Sequence, residues 1–413
     1  MKPTLQTLKG FRDFLPSEKR KRDFVLKKVV EVFEKFGFEP LQTPMLEYAD
    51  LILDKYGEEA DKLVYSFTDR GGRKVALPYD QTVPTARVLA QYKNELPKYF
   101  RRYQIQSVFR ADKPQKGRYR EFTQCDIDIF GSTSPLSDAE IIACTYFTFK
   151  NLGFPNIIIK INDRKTLIKT ASPLSNKDLS TRSIIRILDK RDKIGEKGIA
   201  NELANQGLIE GAIKKILKNI KESKKSKILE QIAENAISLG VPEKILQFDP
   251  TLARGLDYYT GMIFEVIIPE YKVGSFGGGG RYDKLIGQLS GQDVPAVGVA
   301  FGFDRMVEAA EKLNLIPQET NQAKALISVF DKATQKQSLK IAAKLRQANI
   351  TTEVYPAQEP LDKQLKYADK KGIPFVVIIG PDEAKANKVT LKDLKSGKQE
   401  TLSLDQAISQ LKD

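Results

Sequence analysis

The chain has 413 residues, 41% of them hydrophobic, which is enough for two or three domains that each bury a core. It contains no histidine and only two cysteines, so histidine-based catalytic triads, imidazole ligands for zinc and an all-cysteine zinc site are excluded. The formal net charge of +14 favours a polyanionic partner such as nucleic acid, although a lysine-rich composition in general would give the same excess.

Several common sequence signals are missing. No apolar run is long enough to span a bilayer, and the first residues lack the apolar segment of a secretion signal, so we expect a cytoplasmic protein with no membrane partner. The cysteines, Cys125 and Cys144, lie on segments of core composition, which indicates buried, reduced thiols. Neither G-x-x-x-x-G-K-[ST] nor G-x-G-x-x-G occurs, so any nucleotide must be bound by another arrangement.

The first predicted element is a helix that begins with Ser17 as its N-cap and ends at Gly37. Its apolar residues recur at helical spacing. They are Val25, Val29, Val32, Phe33 and Phe36. The segment that follows, residues 37–51, carries Pro40 and Pro44.

A second helix is predicted from Ala86 to Tyr92, within the stretch VALPYDQTVPTARVLAQY. Asp80 and Thr82 precede it, and either side chain can cap the backbone N–H groups at its start.

The most informative stretch is residues 108–131, VFRADKPQKGRYREFTQCDIDIFG. Its ends have strand composition and its middle is a basic turn, which predicts a β-hairpin with a charged tip. In the returning strand, Gln124, Asp126 and Asp128 share one face, while the alternate residues give an apolar face. Arg110 ends the outgoing strand and can bring positive charge near the polar row. An ordinary antiparallel sheet with one solvated face would show the same alternation.

Beyond the hairpin, residues 138–151 predict a helix and residues 157–161 a strand. Residues 171–240 then change to charged helices, in which Ile213, Ile216, Leu217 and Ile220 recur at helical spacing. Lysines crowd the same stretch at positions Lys214, Lys215, Lys218, Lys221, Lys224, Lys225 and Lys227. This face either contacts nucleic acid or is simply solvated, and the composition favours neither.

Residues 251–266 combine Arg254 with the adjacent phenols Tyr258 and Tyr259, ahead of a strand from Met262 to Ile268. Adjacent tyrosines within a strand would point to opposite faces and pack separately. Four consecutive glycines follow at 277–280, where backbone can approach a ligand closely or form a flexible loop.

The stretch VPAVGVAFGFDRM predicts a glycine-spaced strand and then a helix that starts near Asp304, a possible cap, with Arg305 at the junction. Residues 316–322 read as a linker. Beyond them, short apolar strands at 325–330, 351–355 and 375–379 alternate with amphipathic helical segments such as 339–346, which predicts a small α/β domain with a largely parallel sheet.

Three stretches carry a family resemblance: residues 108–131, Arg254 to Gly261 (RGLDYYTG) and residues 294–306. They resemble, in order, the second motif of class II aminoacyl-tRNA synthetases in its histidyl form, a signature of histidyl-tRNA synthetases, and the third class II motif. Residues 37–51 resemble the first motif, which forms the family's dimer interface. The VALPYDQTVPTAR stretch resembles a further family segment, with Pro78 where arginine is usual and Gln81 where leucine is usual.

The resemblance implies an α+β catalytic core, with a class II antiparallel sheet flanked by helices, over residues 1–170 and 241–316. It also implies a helical insertion over 171–240 that covers the tRNA acceptor arm, and a C-terminal α/β anticodon-binding domain over 323–413. The implied enzyme is a homodimer that uses ATP and Mg²⁺ to convert L-histidine to histidyl-adenylate and then charges tRNA(His).

The resemblance also implies residue roles. The catalytic residues would be Arg254, Arg110 and Arg305. ATP would contact Arg110, Asp112 and Arg305. Histidine would contact Asp80, Gln81, Thr82, Arg110, Gln124, Asp128, Arg254, Tyr258 and Tyr259. Two alternatives remain: a non-catalytic, histidine-sensing regulatory paralogue from histidine biosynthesis, and a class II synthetase for another amino acid.

Overall fold

The computed structural model describes residues 5–53, 62–114, 118–175, 179–254, 258–271, 274–317 and 323–412. The chain divides into two compact units, Met1–Ile316 and Pro317–Asp413. In the ranges just given, no helix is both long and apolar enough to cross a membrane.

The first unit is a large sheet with helices around it. Its first half contains α1 (Pro16–Lys35), β1 (Glu39–Pro40), β2 (Glu47–Tyr48), α2 (Ala49–Ile52), β3 (Ser66–Thr68), β4 (Lys74–Ala76), α3 (Thr82–Gln91), β5 (Phe100–Phe109), β6 (Glu121–Phe130), α4 (Pro135–Asn151) and β7 (Ile158–Asp163). Its second half contains α5 (Arg164–Ala171), α6 (Thr181–Leu188), α7 (Arg191–Asn205), α8 (Glu210–Lys221), α9 (Lys227–Ser238), β8 (Leu246–Phe248), β9 (Met262–Ile267), β10 (Gly277–Arg281), α10 (Gly287–Ser290), β11 (Ala296–Phe301) and α11 (Phe303–Lys312).

The main sheet has the strand order β1-β5-β6-β11-β10-β9-β7-β8. Its pairs are antiparallel except at the two edges, where β1 joins β5 and β7 joins β8 in parallel. The predicted hairpin is confirmed as β5 and β6, paired from Phe100↔Phe130 to Phe109↔Glu121. The class II type of fold expected from the sequence is therefore present, as a mixed sheet with an antiparallel centre.

One face of the sheet holds the main apolar core. Cys125, Ile127 and Ile129 of β6 point into it, as the alternation predicts, and the valine stripe of α1 packs there with α4. Cys125 and Cys144 are both buried free thiols, which confirms that expectation. The opposite face of β6 is also buried, so the alternative of a solvated face is wrong.

Two predicted helix caps are wrong. Helix α1 begins at Pro16 after Leu15, because the fixed φ of proline suits a first helical position, and this leaves Ser17 inside the helix. Helix α11 has Gly302 as its N-cap residue, and Asp304 instead forms ion pairs with Arg12 and Arg22 at 2.7 and 2.6 Å. These two arginines therefore hold the start of α11 from the N-terminal segment.

The four glycines form strand β10 in the middle of the sheet, so the flexible-loop alternative is wrong. Neighbouring groups leave almost no room beside them. A Cβ on Gly279 would lie 2.0 Å from the carbonyl oxygen of Gly298, and one on Gly278 would lie 1.8 Å from Nη1 of Arg254. Glycine is thus required at these two positions, because neighbouring atoms approach the backbone too closely for a side chain. In other strands glycine is destabilising.

The predicted charged helices are α6 to α9. Ile213, Ile216 and Ile220 of α8 are buried, as their spacing predicts. Unlike α8, helix α9 is part of the main core, where its Leu229, Ile232 and Ala236 pack beside α4. The proposed boundaries of the helical insertion stay a prediction.

The second unit has its own sheet, in the order β13-β12-β14-β15-β16. Its elements are β12 (Ala325–Ile327), α12 (Lys332–Gln347), β13 (Thr352–Val354), α13 (Leu361–Lys371), β14 (Phe375–Ile378), α14 (Pro381–Ala386), β15 (Val389–Asp393), β16 (Gln399–Leu402) and α15 (Leu404–Lys412). The predicted parallel sheet is correct for β12, β13 and β14. The antiparallel strands β15 and β16 were not anticipated, so the sheet is mixed.

We expect Gly279→Ala to lower the free energy of unfolding of the first unit by about 3 kcal/mol or more, because the new methyl group meets the backbone of β11 at Gly298 and Val299. Urea denaturation followed by circular dichroism measures this. The control is Gly211→Ala on α8, where a Cβ meets nothing within 4 Å, and we expect a gain of about 0.4 to 1 kcal/mol there. Equal midpoints for Gly279→Ala and the unmodified chain would contradict the steric argument.

Candidate functional site

A cavity of about 390 Å³ lies on the polar face of the main sheet, and we call it the first cavity. It gathers side chains that lie far apart in sequence. Of the residues predicted to form a site, it is lined by Asp80, Thr82, Arg110, Gln124, Asp128, Arg254, Tyr258, Tyr259 and Arg305. Gln81 and Asp112 are the predicted site residues that do not line it.

Three arginines converge on the first cavity, and each is oriented by a group of the protein. Nε of Arg110 donates to the carbonyl of Tyr79 at 3.0 Å, and its guanidinium lies 4.3 Å from the Tyr79 ring centroid. Nη1 of Arg305 donates to the carbonyl of Ser275 at 2.7 Å. These contacts hold planar, permanently charged donors at fixed positions around the cavity.

Arg254 lies flat against the glycine strand. Its Nη1 donates to Oε1 of Glu265 at 2.9 Å, and its guanidinium lies directly over Gly278. Because a side chain at position 278 would displace it, the glycine run and Arg254 form one structural unit. Residues 255–257 of the predicted signature lie outside the described residues.

A second cavity of about 400 Å³ adjoins the first. The two share Arg110, Phe122, Phe301, Gly302 and Arg305. Asp112 lines this second cavity, where it forms a two-point ion pair with Arg118, with N to O distances of 3.0 Å. The tip of the basic turn, residues 115–117, lies outside the described residues.

Asp80 caps α3, as one of the two sequence interpretations predicts. Its Oδ1 accepts from the backbone N–H of Thr82 at 3.0 Å and of Val83 at 3.2 Å. The side chain of Gln81 points elsewhere, since its Nε2 donates to the carbonyls of Gln106 and Gln124. The structure therefore brings Asp80 and Thr82 to the cavity and uses Gln81 to brace the β5–β6 pair.

The polar row of β6 forms one wall of the cavity and contains a buried charge cluster. Arg102 of β5, with no exposed surface, has its Nη2 2.7 Å from Oδ2 of Asp128 and 4.0 Å from Oδ2 of Asp126. Desolvation raises the pKa of Asp126 to about 8, and Arg102 opposes that shift. Desolvation also raises the pKa of Asp128, again against Arg102. One cation thus balances two carboxyl groups.

Three phenols close the cavity. The rings of Tyr258 and Tyr259 have centroids 4.9 Å apart, and Tyr282 lies 5.7 Å from Tyr258. The hydroxyl of Tyr282 donates to Oδ1 of Asp128. Burial raises the pKa of the Tyr258 and Tyr282 hydroxyls, so both remain neutral donors near pH 7.

Sequence reasoning missed Asp126, Tyr282 and Glu265 as cavity residues, and it missed Arg102 as the buried cation that pairs with Asp128 of the wall. Asp126 had a signal, because it shares the face of Gln124 and Asp128. The position of Arg102 directly opposite Asp128 is its only signal, and it becomes visible only when the register of the hairpin is known.

Two family models match the chain. The model described as histidyl-tRNA synthetase matches residues 10–306, and the model described as anticodon binding domain matches residues 316–413.

Relatives agree over the full length. A histidine–tRNA ligase from Christiangramia forsetii is 39% identical over 96% of this chain and 97% of its own. One from Cytophaga hutchinsonii is 38% identical over 99% of both. The crystal structure of histidyl-tRNA synthetase from Nostoc sp. PCC 7120 has a TM-score of 0.84 at 32% identity, and covers 100% of this chain and 99% of that one.

A more distant structure shares the fold alone. It is described as an ATP phosphoribosyltransferase regulatory subunit/histidyl-tRNA synthetase from Bacillus halodurans, with a TM-score of 0.73 at 20% identity. It covers 89% of this chain and 97% of that one.

We expect the unfolding free energy of the first unit to fall as the pH rises from about 4 to 8, partly through Asp126. The pKa of Asp126 in the folded state, about 8, exceeds the ordinary aspartate value of 3.8. The folded state therefore holds a proton through this interval that the unfolded state has lost, and the free energy of unfolding falls as the pH rises. Asp126→Asn should flatten that slope. Urea denaturation at pH 5 and pH 8 measures it, without interference from histidine, which the chain lacks.

The matched control for this pH effect is Asp163→Asn. Asp163 is a buried carboxyl on the same sheet that accepts a backbone N–H at the start of α5, and asparagine can replace it there. A pH slope in Asp126→Asn as steep as in the unmodified chain would show that Asp126 does not hold the proton.

Proposed function

The chain belongs to the histidyl-tRNA synthetase family, and on that premise we propose that the first and second cavities together form its active site. The activity of the family is the ATP-dependent activation of L-histidine to histidyl-adenylate and its transfer to the 3′ end of tRNA(His). The observation that supports this site best is the convergence of Arg110, Arg254 and Arg305 on a cavity walled by buried hydrogen-bonding groups.

Histidine enters the first cavity in this proposal. Asp80 and Thr82 receive the α-ammonium, whose three donors suit a carboxylate with a neighbouring hydroxyl. Arg254 contacts the α-carboxylate and the α-phosphate of ATP. Because Nη1 of Arg254 is already engaged by Glu265, the remaining edge of its fork faces the substrates.

The first step is attack of the histidine carboxylate on the α-phosphorus of ATP, which releases pyrophosphate. The carboxylate is anionic at pH 7, so the step needs no general base. It does need fixed positive charge where phosphate oxygens gain charge in the transition state, and that is the role of the three arginines. Their orientation by protein groups before ATP arrives removes part of the reorganisation cost.

ATP extends across both cavities, since Arg110 and Arg305 line each of them. The guanidinium of Arg110 lies against the rings of Tyr79 and Phe122, which leaves its fork edge for phosphate. Asp112 lies on the adenine side in this arrangement. Its pairing with Arg118 fixes the direction of its carboxylate in the second cavity.

Gln124, Asp128, Tyr258 and Tyr259 select the imidazole ring in the proposal. A dry site whose groups are left unpaired by the wrong side chain can discriminate by about 10⁴ to 10⁵ without an editing reaction. The neutral phenol of Tyr258 and the amide oxygen of Gln124, which has no hydrogen-bond partner among the described residues, are groups of this kind.

Mg²⁺ is proposed as the partner of the ATP phosphates. Among the residues the structure describes, no cluster of three or more carboxylate or thiol groups could form a protein cage for it. Mg²⁺ in such sites usually binds through substrate phosphates and one or two carboxylates. No protein ligand is assigned to it.

The tRNA contacts are proposed from charge and domain matches. The lysines of α8 lie on its exposed side, opposite the buried isoleucines, and suit the acceptor arm. The second unit, which matches the anticodon-binding model, reads the other end of the tRNA.

A homodimer is proposed from an exposed apolar row on the three-stranded sheet β2-β4-β3. Tyr48 and Phe67 both lie opposite Val75 in the register, so the three side chains share a face. Tyr48 is 60% exposed and Phe67 49% exposed on either side of the buried Val75, and exposed apolar groups that lie near one another are typical of protein interfaces. A cytoplasmic location is also proposed, because reduced, buried thiols fit a reducing compartment.

The regulatory alternative is less supported. The two relatives reported above match over the full length and are described as ligases, and the anticodon-binding model matches the second unit.

The test of function is amino-acid-dependent exchange of labelled pyrophosphate into ATP, measured with each amino acid separately and without tRNA. We expect exchange with histidine alone. Exchange with none of the amino acids, in protein shown to be folded, would favour the regulatory alternative.

In the same assay, we expect Arg254→Lys to reduce kcat about 10² to 10³-fold, because lysine cannot donate along a planar fork while bound to Glu265. Arg346→Lys, on the exposed surface of the second unit, is the matched control and should leave kcat unchanged. A loss of less than threefold in Arg254→Lys would contradict the proposed role.

We expect Phe67→Glu to convert a dimer of about twice 46.5 kDa into a monomer, because it places a charge at one exposed end of the apolar row. Size-exclusion chromatography with light scattering measures the mass. Leu339→Glu, an exposed apolar residue of α12, is the control for a general effect on solubility. A monomeric unmodified chain would remove the proposed interface.

A further inference from the structure

Asp126 is the one carboxyl of the β6 row that the proposed roles leave unused. It lines the first cavity, is 3% exposed, and lies between Gln124 and Asp128 on the same strand face. Its position in the wall calls for a physical account, since a buried carboxyl is costly unless something binds it.

The two oxygens of Asp126 have different surroundings. Oδ2 accepts from Nε2 of Gln124 at 2.6 Å and lies 4.0 Å from Nη2 of Arg102. Oδ1 has no hydrogen-bond partner among the described residues, and neither has Oε1 of Gln124 beside it. Gln124 is 6% exposed, so these are unpartnered acceptors in a nearly dry cavity wall.

Asp128 differs, because one of its oxygens accepts a hydrogen bond and the other, which lacks a hydrogen-bond partner among the described residues, is close to a cation. The hydroxyl of Tyr282 donates to Oδ1, and Nη2 of Arg102 lies 2.7 Å from Oδ2. A Cβ at position 298 would lie 1.7 Å from Oδ1 of Asp128, so this carboxyl lies flat on the sheet at Gly298. Asp128 is therefore held within the wall by three neighbours.

In the strand register, only small residues lie across the sheet from Asp126 toward β10. Its neighbours across the sheet are Ala300 on β11 and then Gly278 on β10, where Arg254 lies. The backbones of Asp126 and Gly278 are two strand spacings apart, about 10 Å. No side chain larger than a methyl group stands between them in that row, so an amino acid with its carboxylate on Arg254 reaches Asp126 with its ring.

We propose that Asp126 is a specificity-determining residue whose Oδ1 accepts a hydrogen bond from a ring N–H of histidine, while Asp128, Arg102 and Tyr282 hold that wall in place. This inference rests on the proposed histidine site and refines it. When a ring without an N–H group binds, Oδ1 of Asp126 stays buried without a hydrogen-bond partner. Such an unpaired buried group strongly disfavours the analogue relative to histidine. The N–H donated by the ring also stabilises the ionised carboxylate that burial alone disfavours.

The test compares L-histidine with β-(4-thiazolyl)-L-alanine, a similar ring in which sulfur replaces the N–H group. Binding is measured by calorimetry and activation by pyrophosphate exchange, for the unmodified chain, Asp126→Asn and the control Asp163→Asn. We expect Asp126→Asn to weaken histidine binding about tenfold to hundredfold. The preference for histidine over the thiazole should fall about tenfold, with KM for ATP changed less than threefold.

Each outcome decides the inference. A structural role for Asp126 would weaken both amino acids equally and raise KM for ATP, so an unchanged preference in Asp126→Asn overturns the proposal. Asp163→Asn should keep both the affinity and the preference. If the unmodified chain neither binds histidine nor shows exchange, the proposed function itself fails, and that result is distinct from an unchanged preference in an active enzyme.

Discussion

The structure depends on two glycine-bearing strands that allow charged side chains to lie flat on the main sheet. Gly278 carries the guanidinium of Arg254, and Gly298 carries the carboxyl of Asp128. Any side chain at either position would occupy the space of these charged groups. The cavity is therefore formed as much by missing Cβ atoms as by the residues that line it, and the backbone itself is the floor.

Each of the three arginines around the cavity is held by a protein partner that leaves part of its guanidinium group free to bind a ligand. Nε of Arg110 donates to the carbonyl of Tyr79, and Nη1 of Arg254 donates to Glu265. Nη1 of Arg305 donates to the carbonyl of Ser275. A guanidinium has five donors, so one tether fixes its direction and leaves others for a substrate. Such tethering orders the side chain before binding and lowers the entropy lost when the ligand arrives.

Local patterns predicted much of this arrangement, and the exceptions have physical causes. Strict alternation on β6 identified its two faces, because period two is a property of any strand. The glycines of β10 were open to a loop interpretation, since glycine has low strand propensity and its requirement here comes from Arg254 and Gly298, which are remote in sequence. Arg102 looked like an ordinary polar strand residue. Its burial arises only when β5 pairs with β6 and sets it opposite Asp128.

The ion pairs between Arg12, Arg22 and Asp304 join positions up to 292 residues apart, beside Arg305 of the site. At a synthesis rate of about 5 to 20 residues per second, roughly 15 to 60 s pass between the appearance of Arg12 and that of its partner. During that time the N-terminal segment has no Asp304 to bind. The start of α11 thus reaches its final form only late in translation, when nearly the whole first unit has left the ribosome.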